Sequence, residues 1–468
     1  MKVLAGIASY GTNNDRYLAE LIREYKAMSF DVDVIVLSNL EKEVVPVATV
    51  VAVDLLGHDP WSLPFAHKQL FADRIGAYDL FIYSEDDTLV RESNLRAFLE
   101  VSAVLPETEV PGFLRFEQGL DGRVNYPDVH GHFHWDPGSV RLRAGNALAV
   151  FTNEHAACYV LTRRQLQRAI DSGGFLVAPH SDKYDLLCTA ATDPYTQCGM
   201  EKLICVSRLD DFLLHHLPNR YVGTSFGVSD SELRRQVEVL LRISGSAQDR
   251  TSLLNTETKL PDARYSKCYY EEVQAGIVDA IPASARTVLS VGCGWGATEA
   301  WLAEKDMRVT AVPLDAVIPG GAEAKGVEIV AGDFAEARGK LAGRQFDCLL
   351  LSNILHLVPD PVAVLGSFGE LLVRGGVAIA TVPNTAQLAG LWKAMRRKGR
   401  VEIFRGYEET GVQMTSRRIV LGWFRSAGMR RAGFRSVVGE GAAKMARVTF
   451  GVLDPWLATE FIAVGRRI

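Results

Sequence analysis

Twice along this chain, short apolar runs alternate with amphipathic stretches, and a polar segment separates the two series. That rhythm constrains the fold more than any other feature. "KVLAGIAS" reads as a buried strand, "DRYLAELIREYKAM" has helical periodicity, and "DVDVIVLS" and "YDLFIYS" are strands again. After the polar stretch "GSAQDRTSLLNTETKLPDARYSK" come "TVLSVGCGWG", "RVTAVPLD", "VEIVAGDF", "FDCLLLSN" and "GGVAIATVPN". Such alternation predicts mostly parallel sheets whose ligands gather at the carboxyl ends of the strands. We read two α/β domains, residues 1–245 and 271–468, joined by a linker at 246–270. After Pro106 the first series loosens into a loop-rich stretch, and helices return at "TRRQLQRAI" and "DSELRRQVEVLLRIS".

Composition narrows the function classes. A net charge of −5 gives no support to nucleic-acid binding. Seven scattered cysteines, none in a CxxC pair, suggest neither a disulfide framework nor a zinc site. No apolar run is long enough to span a bilayer, and the expected location is the cytoplasm. "LWKAMRRKGRVEIFR", residues 391–405, is basic and aromatic. It reads either as a solvated helix and turn or as a peripheral contact with an anionic membrane at its inner face.

The first chemical signal is "FIYSEDDTLV", where an apolar strand ends in Glu85, Asp86 and Asp87. Three adjacent acids repel one another. Either they lie in a solvated loop, with Asp87 or Thr88 capping the helix predicted over "RESNLRAFLEV", or a hard divalent cation offsets the repulsion. "HGHFHW" places His130, His132 and His134 on one face of a short strand, for metal, for acceptor sugar or for loop packing. The second signal is "VLSVGCGWGATEAWLAE". Here a strand turns through Gly292, Gly294 and Gly296 into a helix, a geometry that lets a ligand approach the backbone.

On these motifs the C-terminal half resembles the class I S-adenosylmethionine-dependent methyltransferases. "VGCGWG", "AGDF", "FDCLLLSNILHLVPDP", "ELLVRGG", "VAIATVPN", "RRAGFRSV" and "EFIAVGRR" follow in the family's order. The resemblance implies that the glycine loop binds S-adenosylmethionine and that Asp333 contacts adenine. There are departures. Ser290 stands where the family has an acid in the first strand, and Pro313 where an acid binds the ribose. Asp315, two residues on, substitutes for the latter or is a loop residue. His356, after the fourth strand, takes a proton from a sugar hydroxyl or is a packed loop histidine.

The N-terminal half resembles bacterial nucleotide-sugar glycosyltransferases of the GT-A fold, with looser motifs. That resemblance implies a Mg²⁺ or Mn²⁺ ion held by Asp87, with Glu85 and Asp86 on ribose, sugar or metal-bound water. It makes Ser9, Tyr10 and Gly11 of "ASYGTNND" contacts for the nucleotide. In "HHLPNRYVG" a late histidine, His216 rather than His215, joins the metal. Glu201 becomes the carboxylate base, with Asp210 and Asp211 as rivals. The combined expectation is a bifunctional enzyme acting on a glycan or lipid-linked glycan. Two alternatives stay open: a glycosyltransferase with a non-catalytic binding module, or a methyltransferase with a glycan-binding scaffold.

Overall fold

A computed structural model describes residues 1–43, 47–386, 406–439 and 457–468. The basic stretch 391–405 lies outside the described residues. Among those described, no helix is long and apolar enough to cross a membrane. The chain divides into two compact units, Met1–Ala247 and Gln248–Ile468.

The first unit is built on a five-stranded sheet. Across it lie Cys158–Thr162, Leu80–Glu85, Lys2–Ser9, Asp31–Ser38 and Thr49–Ala52. The last four run parallel and the Cys158–Thr162 strand antiparallel. Helix Asp15–Ala27 turns Leu18, Leu21, Ile22 and Tyr25 into the core, the i, i+3, i+4, i+7 stripe expected of a helix packed on a sheet. Register pairs Ala8 with Glu85 and Ser9 with Ser38, so the end of the first strand and the start of the acidic triplet share one sheet edge.

The stretch after Pro106 is richer in strands than expected. Leu114–Gln118 and Leu213–His216 pair in parallel, and Leu213–His216 also pairs antiparallel with the two-residue strand Thr88–Leu89. These strands are only two to five residues long, too short for an alternation to stand out in sequence. Thr88 therefore lies in a strand. The helix Glu92–Ser102 is capped by Arg91 and Asn94, with Arg91 N–H donating to Asn94 Oδ1 at 2.9 Å, and not by Asp87 or Thr88. "HGHFHW" is likewise not a strand up to His134: the strand begins at Trp135, and the preceding histidines lie in turns. His130 Nδ1 meets Pro127 O at 2.7 Å and His134 Nδ1 meets His132 O at 3.0 Å.

The second unit has a seven-stranded sheet. Across it lie Glu328–Ile329, Arg308–Pro313, Thr287–Cys293, Phe346–Ser352, Leu372–Pro383, Ala458–Arg467 and Met429–Val438. The first five are parallel, and Ala458–Arg467 runs antiparallel to both of its neighbours. In chain order this is 3-2-1-4-5-7-6. Their apolar runs are buried on both faces, as parallel strands covered by helices require.

The stretch 246–270, read from sequence as a linker, packs onto this second unit. Leu253 is buried in its core, and its N–H donates to Leu314 O at 2.7 Å. Lys267 N–H reaches Thr256 O at 3.1 Å, and Tyr269 is fully buried. A few apolar anchors and backbone bonds to a strand end suffice to order a polar segment, and neither leaves a periodic signal.

Candidate functional site

Two sheet edges carry chemistry, one in each unit. In the first, Asp86 is tied down. Ser9 Oγ donates to its Oδ2 at 2.6 Å and Asn14 Nδ2 to its Oδ1 at 2.7 Å. Lys42 Nζ donates to Ser9 Oγ at 2.6 Å. Ser9 is thus buried and engaged with the acids, whereas Tyr10 is exposed. Gly11 has a φ of 62° with open space where a side chain would point, so backbone conformation is what favours glycine there.

Glu85 and Asp87 are less fully engaged. Glu85 Oε1 and Asp87 Oδ1 are buried and have no hydrogen-bond partner, a costly arrangement that a ligand would relieve. Burial and the neighbouring charge of Asp87 push the Glu85 carboxyl up to about 7. Burial raises Asp86 as well, against the hydrogen bonds from Ser9 and Asn14. For Asp87 burial acts upward too, but His216 and Arg115 outweigh it and hold the carboxyl below its usual range.

Pairing of Leu213–His216 with Thr88–Leu89 sets His216 opposite Thr88, so its Nε2 stands 3.6 Å from Asp87 Oδ2. The adjacent His215 turns elsewhere, onto the Phe116 ring and Asn219. His216 Nδ1 is 2.6 Å from Glu117 Oε1. Burial disfavours charged His216, yet the bonds and charges from Asp87 and Glu117 prevail and raise its pKa. Glu117 also accepts the N–H groups of Arg220 and Tyr221, at 3.0 and 2.6 Å. A carboxylate fixing the far nitrogen of a histidine is the usual support of a metal-binding imidazole. Among the described residues no group of three or more metal-binding side chains is preassembled, and the unpartnered oxygens of Glu85 and Asp87 are the atoms left open to a ligand.

The expected base does not stand here. Glu201 is exposed at a strand start and ion-paired with Arg141 at 2.5 Å. Its rivals Asp210 and Asp211 pair with Arg234 and Arg208, each at 2.9 Å. Sequence reading missed Asn14, Glu117 and the ion pair of partly buried Arg115 with buried Asp128, whose closest approach is 2.7 Å. A glutamate and an arginine within the strand "LRFEQ" were the available signal.

In the second unit the glycines are demanded by close packing. A side chain on Gly294 would begin 2.1 Å from Tyr269 O, and one on Gly292 would begin 2.5 Å from Ile354 Cγ2. Gly292 and Gly296 also have φ values near +80°. Trp295 N–H donates to Tyr269 O at 2.8 Å, so residue 269 braces the loop from outside. The pocket at the loop is lined by Gly294, Gly296, Thr298, Glu299, Glu271 and Ser352. Ser290 is not without an acid: its Oγ donates to Glu299 Oε1 at 2.6 Å, a buried carboxylate delivered by the helix Ala297–Ala303. Burial raises the Glu299 pKa against that bond.

Asp315 lies beyond the strand, which ends at Pro313, so strand alternation does not orient it. Its Oδ1 accepts the N–H groups of Val317 and Ile318, at 2.7 and 2.9 Å. Asp333 caps the helix Phe334–Lys340 through the N–H groups of Ala335 and Glu336. His356 is corrected. It is buried, with Nε2 at 2.8 Å from Tyr265 O, and burial pushes its pKa down to about 4. An imidazole so placed is a poor proton acceptor at neutral pH.

Beside the loop pocket lies a cavity of about 410 Å³ that shares Glu271 and Gln274 with it. Asn353 stands between two carboxylates there, its Nδ2 3.0 Å from Glu460 Oε1 and 3.4 Å from Glu271 Oε1. Glu460 was overlooked in the sequence, although it is the one carboxylate in the strand "ATEFIAVGRR".

Comparison with known proteins agrees for this unit. The family model described as "Methionine biosynthesis protein MetW" matches residues 272–403. An uncharacterized methyltransferase of Mycobacterium tuberculosis is 32% identical over 117 residues, 24% of this chain and 58% of that protein. A ubiquinone biosynthesis O-methyltransferase of Xylella fastidiosa is 32% identical over 111 residues, 22% of this chain and 45% of that protein. The chain thus spans about half the length of the curated relatives it matches. Among solved structures, a Thermotoga maritima S-adenosylmethionine-dependent methyltransferase, described as a possible histamine N-methyltransferase, shares 17% identity. It covers 43% of this chain and 89% of its own at a TM-score of 0.30. The curated relatives that the chain matches are methyltransferases.

Proposed function

We propose that the second unit transfers a methyl group from S-adenosylmethionine to a hydroxyl of a glycan, and that the first transfers a sugar from a nucleotide donor. The observation that carries the methyl transfer is the strand order 3-2-1-4-5-7-6 with a close-packed glycine loop at the carboxyl end of its first strand. The likeness of the chain to methyltransferases supports it. The loop, with Asp315 and Asp333 after the next two strands, would hold the donor, whose sulfonium supplies an activated methyl group. Ser290 and Glu299 stiffen the strand-to-helix turn beneath it.

The sugar-transfer reading rests on the two orphaned carboxylate oxygens of Glu85 and Asp87, with His216 beside them. The strand order, a parallel group flanked by one antiparallel strand next to the acidic end, suits a GT-A domain. Asp87 and His216 would hold the metal, Glu85 and Asp86 would face the donor, and Ser9, Tyr10 and Gly11 would border the nucleotide. A bound divalent cation supplies positive charge to the departing diphosphate. The residues around it orient one another: Ser9 and Asn14 fix Asp86, and Glu117 fixes the His216 ring.

Calorimetric titration of the full chain tests both halves. S-adenosylmethionine should bind without metal, and a nucleotide sugar only with Mn²⁺. Absence of the first heat removes the methyl-transfer reading, and metal-independent sugar binding removes the other.

A further inference from the structure

The cavity beside the glycine loop opens at the carboxyl ends of two neighbouring strands, where Asn353 and Thr381 stand. Arg435 and Glu460, from the two last strands of the sheet, form another wall. Glu271 and Gln274 close it on the side shared with the loop pocket. Val273, Ile277, Val437 and Ile462 also line it, so hydrogen-bonding groups alternate with apolar ones, as a sugar ring with hydroxyl edges and C–H faces requires. The lining carries Glu271, Glu272 and Glu460 against Arg435, with Lys267 ion-paired to Glu271 and Arg435 to Asp279, so the cavity is rich in acceptors and favours a ligand that donates hydrogen bonds. One demand stays unmet. Asn353 Oδ1 is a buried acceptor without a partner, while the same side chain spends its Nδ2 on the two glutamates. An O–H group entering the cavity would satisfy that oxygen and lie beside Glu460.

We infer that this cavity seats the hydroxyl-rich, sugar-like acceptor of the methyl transfer, and that Glu460 is the base that takes the proton of the reacting hydroxyl. The inference rests on the methyl-transfer reading above and replaces His356, whose Nε2 is taken by Tyr265 O and whose Nδ1 is buried. As the hydroxyl oxygen bonds to the methyl carbon of a sulfonium donor, the carbon–sulfur bond breaks with its electron pair on sulfur, leaving a neutral thioether. The hydroxyl proton passes to a Glu460 carboxylate oxygen and from there to solvent. Burial is the main cause that raises the Glu460 pKa. The charge of Glu271 adds to it, and the bond from Asn353 and the charges of Lys267 and Arg435 oppose it. A carboxylate so raised is a better base than an exposed one.

The test uses the full chain, with p-nitrophenyl glycosides as sugar probes and catechol and benzylamine as non-sugar probes. Donor affinity is measured by calorimetry, probe binding by saturation-transfer NMR and methyl transfer by mass spectrometry. Glu460→Gln should bind S-adenosylmethionine within about twofold of wild type and still bind glycoside. It should transfer methyl about 100-fold more slowly or worse, and lose the rise in rate with pH. Asn353→Ala, a second variant that leaves the base in place, should weaken glycoside binding and not donor binding. Wild-type rates in Glu460→Gln, or methylation of catechol or benzylamine with no glycoside methylated, would overturn the inference. If wild type binds no S-adenosylmethionine, the underlying reading has failed instead, and the calorimetry shows that separately.

Discussion

The acidic edge of the first unit and the glycine-loop edge of the second are assembled in opposite ways. At the first, charge is concentrated in sequence: Glu85, Asp86 and Asp87 are neighbours, and the fold brings Ser9, Asn14 and His216 to them. At the second, polar groups arrive singly from segments far apart, Glu271, Glu299, Asn353 and Glu460, onto a loop nearly bare of side chains. A concentrated site must offset its own repulsion, and here the charge of the partly buried Arg115 and a web of hydrogen bonds share that task. A dispersed site has no such cost, but depends on several chain segments keeping their places. The first should fail electrostatically and the second sterically.

The largest effect expected is on stability of the first unit. Asp128 is fully buried and Arg115 partly so, and Arg115→Ala would leave Asp128 charged and buried without its guanidinium. Removing one partner of such a pair costs about 3–5 kcal/mol. Scanning calorimetry should show the transition of the first unit falling while that of the second stays put. A shift of both together would erase the contrast.

Next comes Asp87→Ala. Loss of the carboxylate beside His216 should lower Mn²⁺-dependent nucleotide-sugar affinity by roughly 100-fold, about 2.8 kcal/mol. S-adenosylmethionine affinity measured on the same protein should not change. Wild-type affinity for donor and Mn²⁺ would remove Asp87 from the site.

Acid should separate the units by a smaller margin. Burial lowers His132 and His134 to about 4 and His155 to about 3 in the first unit, against His356 alone, at about 4, in the second. A histidine whose folded pKa lies below its unfolded value near 6.5 binds fewer protons when folded. Its contribution is therefore complete above pH 6.5 and is lost as pH falls toward 4. Glu85, raised to about 7, works in the opposite sense and offsets part of the first unit's loss. Chemical denaturation at pH 6.5 and 4.5 should show the first unit losing more stability than the second. An equal loss would mean that these imidazoles become exposed without unfolding.

The smallest change is a single methyl group. Gly294→Ala sets a carbon 2.1 Å from Tyr269 O, so the bracing segment must shift, at a cost of about 1–3 kcal/mol. Both the melting point of the second unit and its donor affinity should fall, with the first unit untouched. Unchanged donor affinity alongside a lowered melting point would detach the loop from cofactor binding.

Much of this was legible in the sequence, and the reasons differ between the halves. Buried parallel strands announce themselves as apolar runs, so every strand quoted for the second sheet is present. The acidic triplet was visible because its members are contiguous. Glu117 and Asn353 were not, because what matters is what they face, which is set by pairings between distant strands. His356 illustrates the limit: residue type and position after a strand suggested a base, and burial against Tyr265 removed it. Ser290 shows the converse. A missing acid in a strand was supplied nine positions later, by a glutamate on the following helix.

The antiparallel strand Ala458–Arg467 lies between two strands made earlier, pairing with Leu372–Pro383 on one side and Met429–Val438 on the other. Both partners precede it in the chain, and without it each keeps a row of backbone donors and acceptors unpaired on the side it would fill. A chain stopped short of residue 458 would keep those rows open, and an unpaired apolar strand such as "LVRGGVAIATVP" invites pairing with other chains. Shortened translation products should therefore be insoluble or rapidly degraded rather than partly active. Glu460 arrives on the inserted strand itself, so the inferred acceptor cavity is complete only once the sheet is closed.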